Sequence, residues 1–263
     1  MEPVKRPKYS RRVHIAPVGF EIDRVVLPLI RMEADKVYLF AEKTENSDKL
    51  EHFISEIKKR LKTHSKSIEI EQRGWDLNKI ELYATLREYR KIIEEESEND
   101  IFINVSTGSK IHAIAGMITS MIFKDGNKTI MPYYVIPESY ADRPANNEQY
   151  SNGCKEIQKL PNYRIEKPSD DIMDVLVKIA EIEKTGITVT KKILIEVLDK
   201  SNIKLTTITD KYSRNDAGKY NALQRKYLKP LEEWKYIKID DKSKRPRIEI
   251  TEEGRNALMF LRD

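Results

Sequence analysis

Ile101-Phe102-Ile103-Asn104-Val105-Ser106-Thr107-Gly108-Ser109-Lys110, continued by the apolar run from Ile111 to Phe123, decides how this chain is read. Ile101 to Val105 is rich in β-branched and aromatic side chains and too short for a helix, so it reads as a buried strand. Ser106 to Ser109 supplies turn residues and helix-capping oxygens. Lys110 then opens a helix carrying Ile111, Ala113, Ile114, Ala115, Met117, Ile118, Met121 and Ile122. A glycine in such a turn lets backbone N–H groups point at a ligand. The helix N-terminus adds partial positive charge and the lysine a full one, a combination that suits an anion, most often phosphate. The stretch has neither the G-x-x-x-x-G-K-[ST] nor the G-x-G-x-x-G spacing. An ordinary βα turn with a capping serine and a solvated lysine therefore stands beside the ligand-binding reading.

Toward the N-terminus the same alternation repeats. Val13 to Val18 is a strand with Pro17 near its end, and Gly19 turns the chain into a helix over Phe20 to Glu33, kinked near Pro28. Lys36 to Ala41 is a strand, Ser47 caps a helix to about Thr63, and Ser67 to Gln72 alternates like a strand near an edge. A turn at Arg73 to Asp76 leads into a helix over Leu77 to Ser97. Toward the C-terminus, Asp125 to Asn127 breaks the focal helix and Thr129 to Ile136 is a fifth strand. This order predicts an α/β domain: a Rossmann-like, mostly parallel sheet flanked by helices on both faces. Ligands of such sheets sit at the carboxyl ends of the strands. That places Val18-Gly19-Phe20, Gly74-Trp75 and Ser106 to Lys110 on one rim. Pro137 to Pro161 is a long excursion, with Lys155 to Leu160 as an added edge strand. Its neighbourhood offers Tyr133, Tyr134, Tyr140 and Arg143, either to a ligand or second subunit or as plain surface anchors.

Residues 162–168 read as a linker between a domain at 1–161 and another at 169–263. Helices over Ser169 to Lys184, Lys191 to Asp199 and Ala217 to Trp234 are followed by Tyr236 to Ile239, a charged turn, Ile248 to Thr251 and a last helix. Pro230 implies a kink or an early stop in the third helix. Three helices, a hairpin and a helix make a C-terminal winged helix-turn-helix, whose third helix would enter a DNA major groove. Residues 211–247 hold twelve Lys or Arg against five Asp or Glu. Lys219, Arg225 and Lys226 on the third helix, with Lys242, Lys244, Arg245 and Arg247 at the wing, are the candidate DNA contacts. Winged helices also serve as protein-interaction modules, and the lysines then form a solvated face.

Composition sets bounds. The 263 residues suit two domains, 35% are charged, and the net charge of +5 leaves polyanion affinity to local clusters. The single cysteine, Cys154, excludes an internal disulfide framework and fits a reducing cytoplasm. No apolar run approaches a membrane span of about 20 residues. Lys5, Arg6, Lys8, Arg11 and Arg12 precede no apolar core of a signal peptide, so the N-terminus reads as a solvated lead-in. His14, His52, His64 and His112 are scattered, so no metal site is expected.

The segments VHIAPVGFEIDRVVLPLIRMEADKVYLF at Val13 to Phe40 and INVSTGSKIHAIAGMI at Ile103 to Ile118, with the C-terminal domain, resemble the archaeal CARF–winged-helix regulators. CARF denotes the CRISPR-associated Rossmann fold. The resemblance implies a homodimer with a pocket across its two-fold axis that takes a cyclic oligoadenylate, commonly cyclic tetra-adenylate, with no cofactor. The family's turn after the fourth strand falls on Ser106, Thr107, Gly108, Ser109 and Lys110, and its first βα turn on Val18, Gly19 and Phe20. Thr107 and Ser109 hydroxyls and the Gly108 amide would hold phosphate or ribose oxygens, and Lys110 would supply charge. Trp75 or Phe20 would stack on adenine, or else serve a core or interface. The expected activity is ligand-responsive binding of double-stranded DNA in transcription regulation rather than catalysis. The alternative is a ring nuclease in which Thr107, Ser109 and Lys110 assist metal-independent attack by a ribose 2′-hydroxyl.

Overall fold

The computed structural model describes residues 9–41, 47–64, 67–73, 82–124, 129–142, 144–145, 148–201, 203, 205, 216–240 and 246–262. The chain divides into two compact units, residues 1–166 and 167–263. In the first, β1 (Arg12–Pro17), α1 (Asp23–Arg31), β2 (Lys36–Phe40), α2 (Ser47–His64), β3 (Glu69–Arg73), α3 (Leu82–Glu95), β4 (Asp100–Asn104), α4 (Lys110–Ile122) and β5 (Ile130–Ile136) alternate as the hydrophobic pattern requires. Two short strands, β6 (Ser139–Tyr140) and β7 (Ser151–Asn152), pair with each other, and β8 (Glu156–Lys159) joins the sheet antiparallel to β5. The sheet order is β3-β2-β1-β4-β5-β8, and β1 to β5 are parallel.

Strand alternation divides the core. Ala16, Val37 and Leu39 pack with Val25, Leu29, Phe53 and Ile57 of α1 and α2. On the other face, Phe40 meets Tyr89 of α3, and α4 lies against Ile103 and Val105. Helices cover both faces, which suits the mostly apolar β1, β2, β4 and β5, while β3 alternates as an edge strand. At the amino end of the sheet Lys36 pairs with Glu96 (3.0 Å), Glu71 (3.1 Å) and Glu69 (3.3 Å). That charge cluster lies away from the carboxyl rim.

Helix α1 begins three residues later than the pattern predicts, with Ile22 at its N-cap, so Phe20 and Glu21 remain in the turn. Pro28 lies inside α1. Its missing N–H leaves the Arg24 carbonyl without its helical donor, and the Asn104 side-chain amide fills the gap at 2.9 Å.

The second unit holds α5 (Asp170–Lys184), α6 (Lys191–Lys200), α7 (Asp216–Leu223), a π turn at Gln224–Leu228, α8 (Lys229–Glu233), β9 (Ile237–Asp240), β10 (Arg247–Ile250) and α9 (Glu252–Leu261). It is a winged helix domain. The β9–β10 hairpin is antiparallel, and the Ile248 amide donates to the Val189 carbonyl at 3.0 Å, tying the segment before α6 to the wing. Leu176, Ile179, Leu194, Leu198, Leu223, Tyr227, Leu228 and Leu231 form its core. Of the kink or early stop expected at Pro230, the early stop does not occur. The proline ring crowds the carbonyl four residues back, and the chain widens into the π turn, where the Lys229 amide reaches the Gln224 carbonyl.

Candidate functional site

β1 has β2 on one side and β4 on the other, so the connections diverge there and open a crevice at the carboxyl ends of β1 and β4. Two turns fill its floor. A Cβ on Gly19 would stand 3.1 Å from the Gly108 nitrogen, and one on Gly108 would stand 2.5 Å from Pro17 Cβ and 2.7 Å from His112 Nδ1. Gly108 also has φ +76°, a conformation that side chains rarely adopt. The turns therefore pack backbone to backbone.

Side chains lock this arrangement. Asn104 is fully buried, and its Oδ1 accepts from the Ser106 amide (2.9 Å) and from the Ser106 hydroxyl. Ser106 Oγ in turn accepts from the Val135 amide at 3.1 Å, which fixes the turn to β5. Thr107 is buried, and its hydroxyl donates to the Pro17 carbonyl at 2.6 Å. Ser109 Oγ caps α4 by accepting from the His112 amide (3.4 Å), and His112 Nδ1 accepts from the Ser109 amide at 2.9 Å. Burial holds the His112 pKa down to about 4, which keeps the ring neutral and Nδ1 an acceptor.

The predicted ligand residues thus fall into two groups. Ser106 and Thr107 spend their hydroxyls on the turn itself, while Gly108 and Lys110 are exposed and Ser109 half-buried. Lys110 and Ile111, the first helical residues, have no intrahelical acceptor for their N–H groups. Val18 is buried, with its amide on the Phe40 carbonyl at 2.7 Å; Gly19 is half-buried and Phe20 is exposed. Trp75 lies outside the described residues, as does Arg143. Tyr133 is fully buried with its hydroxyl 3.2 Å from His14 Nδ1, so it does not reach the rim. Tyr134 lies beneath the Arg24 guanidinium (4.9 Å), and Tyr140 is exposed.

The excursion after β5 folds back over the first turn. Gln149 Oε1 accepts from the Ile22 (3.0 Å) and Asp23 (2.9 Å) amides, closing the N-terminus of α1. The Ser151 hydroxyl donates to Glu21 (2.7 Å), the Tyr150 amide to the Phe20 carbonyl (3.0 Å), and the Gly153 amide to Asp23 (2.8 Å). The N-terminus of α1 is thus closed by a side chain from a distant segment, whereas that of α4 carries only its own Ser109–His112 cap, beside the Lys110 and Ile111 amides. Asn104 and Gln149 escaped the sequence reading. An asparagine two residues before a serine is a recognisable turn former, whereas Gln149 lies 127 residues from its partner Ile22 and carries no local signal.

In the winged domain the predicted cations differ in their engagement. Lys219 pairs with Asp199 at 2.5 Å, and Lys226 with Asp171 at 3.6 Å. Arg225 and Arg247 are exposed and have no ion-pair partner among the described residues; Arg247 borders an open groove of about 410 Å³ shared with Arg255 and Thr188. Lys242, Lys244 and Arg245 lie outside the described residues. Among the described residues, no group of three or more His, Cys, Asp or Glu is arranged to hold a metal, and no helix is long and apolar enough to cross a membrane.

These two units correspond to two known domain types. Residues 12–140 match the family model described as "HFX_2341_N:-like, N-terminal", and residues 171–262 match the DUF6293 C-terminal winged helix domain. The chain is 28% identical to Uncharacterized protein MJ1513 of Methanocaldococcus jannaschii over 200 residues, covering 67% of this chain and 58% of that protein. Among solved structures it is similar to Enterococcus italicus Csm6 bound to cyclic hexa-2'-fluoro-hexa-dAMP, at 10% identity and a TM-score of 0.41, covering 86% of this chain and 59% of that one. It is also similar to Can2 from Sulfobacillus thermosulfidooxidans in complex with cyclic tetra-adenylate, at 15% identity and a TM-score of 0.38, covering 95% of this chain and 63% of that one. The ligands named there are those of the two proteins concerned.

Proposed function

We propose that this chain is a CRISPR-associated, cytoplasmic transcriptional regulator that binds a cyclic oligoadenylate, cyclic tetra-adenylate first among them, across a homodimer of its N-terminal domain. One observation carries the ligand reading. The crevice at the β1–β4 switch point is floored by Gly19 against Gly108, with Lys110 and the N-terminus of α4 exposed beside it. The CARF resemblance of the same turns supplies the ligand class. The dimer reading rests on α4, where Ile111, Ile114, Ile118 and Met121 recur at helical spacing and are exposed or half-buried. Two copies related by a two-fold axis would present two phosphate turns to one symmetric ring. The C-terminal winged helix supports DNA as the partner of the output domain. Effector binding would change DNA affinity, and DNA would change effector affinity by the same factor.

The test is calorimetric titration of the purified protein with cyclic tetra-adenylate, cyclic hexa-adenylate and linear tetra-adenylate, followed by analysis of the end-point mixture. One intact ring bound per dimer supports the sensor. Linear products would favour the ring-nuclease alternative, in which Lys110 is the exposed group of the Thr107, Ser109 and Lys110 set. No binding by any ring would remove the effector reading.

A further inference from the structure

Tyr150 has no part in the sequence-level reading of the site, yet the fold brings it to the rim. Its ring centroid lies 5.4 Å from that of Phe20 at 74°, an edge-to-face pair. Phe20 meets Phe53 in the same way at 5.5 Å, and Phe53 is buried, which anchors the pair to α2. Phe20 itself is 39% exposed and Tyr150 48%. Phe20 follows Gly19, whose backbone rests on Gly108, so the exposed rings stand beside the phosphate turn.

The backbone beneath Tyr150 is held at three successive residues. Gln149 caps α1, the Tyr150 amide and carbonyl bond to the Phe20 carbonyl (3.0 Å) and the Ala141 amide (2.9 Å), and Ser151 bonds to Glu21. Hydrogen bonds at three successive residues fix this large ring beside the turn. An aromatic face that is held in place loses little entropy when a base stacks on it.

We infer that Tyr150 and Phe20 form a stacking corner for a nucleobase of the ligand whose phosphate rests on Ser106 to Lys110. This rests on the oligonucleotide reading of the site and assigns to the excursion after β5 the role of supplying affinity for the base. Stacking on an aromatic ring is tolerant of base identity. The corner therefore discriminates a base-bearing ring from a bare sugar–phosphate, and the turn with Lys110 supplies the charge-dependent part.

The experiment titrates wild-type protein, Tyr150→Ser, Tyr150→Phe and Lys110→Ala with cyclic tetra-adenylate carrying one 2-aminopurine, whose fluorescence is quenched on stacking. Tyr150→Ser should weaken binding by about 5- to 100-fold and relieve the quenching, with little change in salt dependence. Tyr150→Phe should restore both. Lys110→Ala should weaken binding, flatten the salt dependence and keep the quenching of the bound ring. Wild-type-like affinity and quenching in Tyr150→Ser would overturn the stacking corner and leave the effector reading standing. Failure of the wild-type protein to bind the ring would overturn both. Near-ultraviolet circular dichroism and melting of each variant separate loss of the corner from loss of the fold.

Discussion

A methyl group added at Gly108 has nowhere to go. It would meet Pro17 Cβ at 2.5 Å and His112 Nδ1 at 2.7 Å, on a backbone with φ +76°. Gly108→Ala should cost about 1–3 kcal/mol of stability and separate the two turns of the crevice, read as a lower urea midpoint and lost ligand affinity. Two buried histidines make stability depend on pH. Burial, with a smaller contribution from Arg12, lowers the His14 pKa from 6.5 to about 3, and burial lowers that of His112 to about 4. Both pKa values are depressed, so their contribution is complete above pH 6.5. It falls away as pH drops from there toward the folded values, because the unfolded chain takes up protons first. Each histidine should contribute a slope of about 1.4 kcal/mol per pH unit. Urea midpoints at pH 7 and pH 5 measure it, and His14→Gln should shrink the difference between them. An unchanged difference would show that His14 takes up its proton as readily in the folded protein as in the unfolded chain.

At the scale of elements, α1 and α4 begin alike in sequence terms, each after a strand and a glycine-bearing turn, yet α4 is capped by its own residues and α1 by a distant one. The distinction lies in Gln149, which arrives from the excursion and takes the first amides of α1. Local chemistry made the α4 turn legible: a strand, a serine- and glycine-bearing turn and an apolar helix need no distant partner to be recognised. The closure of α1 and the burial of Thr107 were illegible, because both depend on contacts across the fold, Thr107 with Pro17 at a separation of 90 residues. The third helix of the winged domain makes the same point, since the kink or early stop implied by Pro230 takes the form of a π turn packed by Tyr227, Leu228 and Leu231 in the core. Of the predicted DNA contacts within the described residues, Arg225 and Arg247 are the exposed ones that lack an ion pair. Arg225→Ala with Arg247→Ala should lower affinity for all duplexes and reduce the slope of log affinity against log salt by about 2. Lys219→Ala, removing a cation already paired with Asp199, should change it less. Equal effects in a mobility-shift series across salt concentrations would remove the distinction between paired and unpaired cations.

For the molecule as a whole, the central question is what covers α4. Ile114 is 47% exposed on a helix with little charge, in a position that a second copy would bury. Ile114→Glu should halve the mass seen by light scattering and, with the shared pocket lost, abolish effector binding; a wild-type monomer would refute the dimer. By itself the sequence determined the alternation of strands and helices, the two-part organisation, the turn at Ser106 to Lys110 and the basic winged domain. Each of these is written in local periodicity, capping residues and charge, which act over a few residues at a time. Only the tertiary structure decided which hydroxyls hold the turn and which atoms face the crevice, that Asn104 replaces the hydrogen bond lost at Pro28, and that Tyr150 stands beside Phe20. Those outcomes depend on which buried polar groups find partners across the fold, and a chain satisfies them only once its distant segments have met.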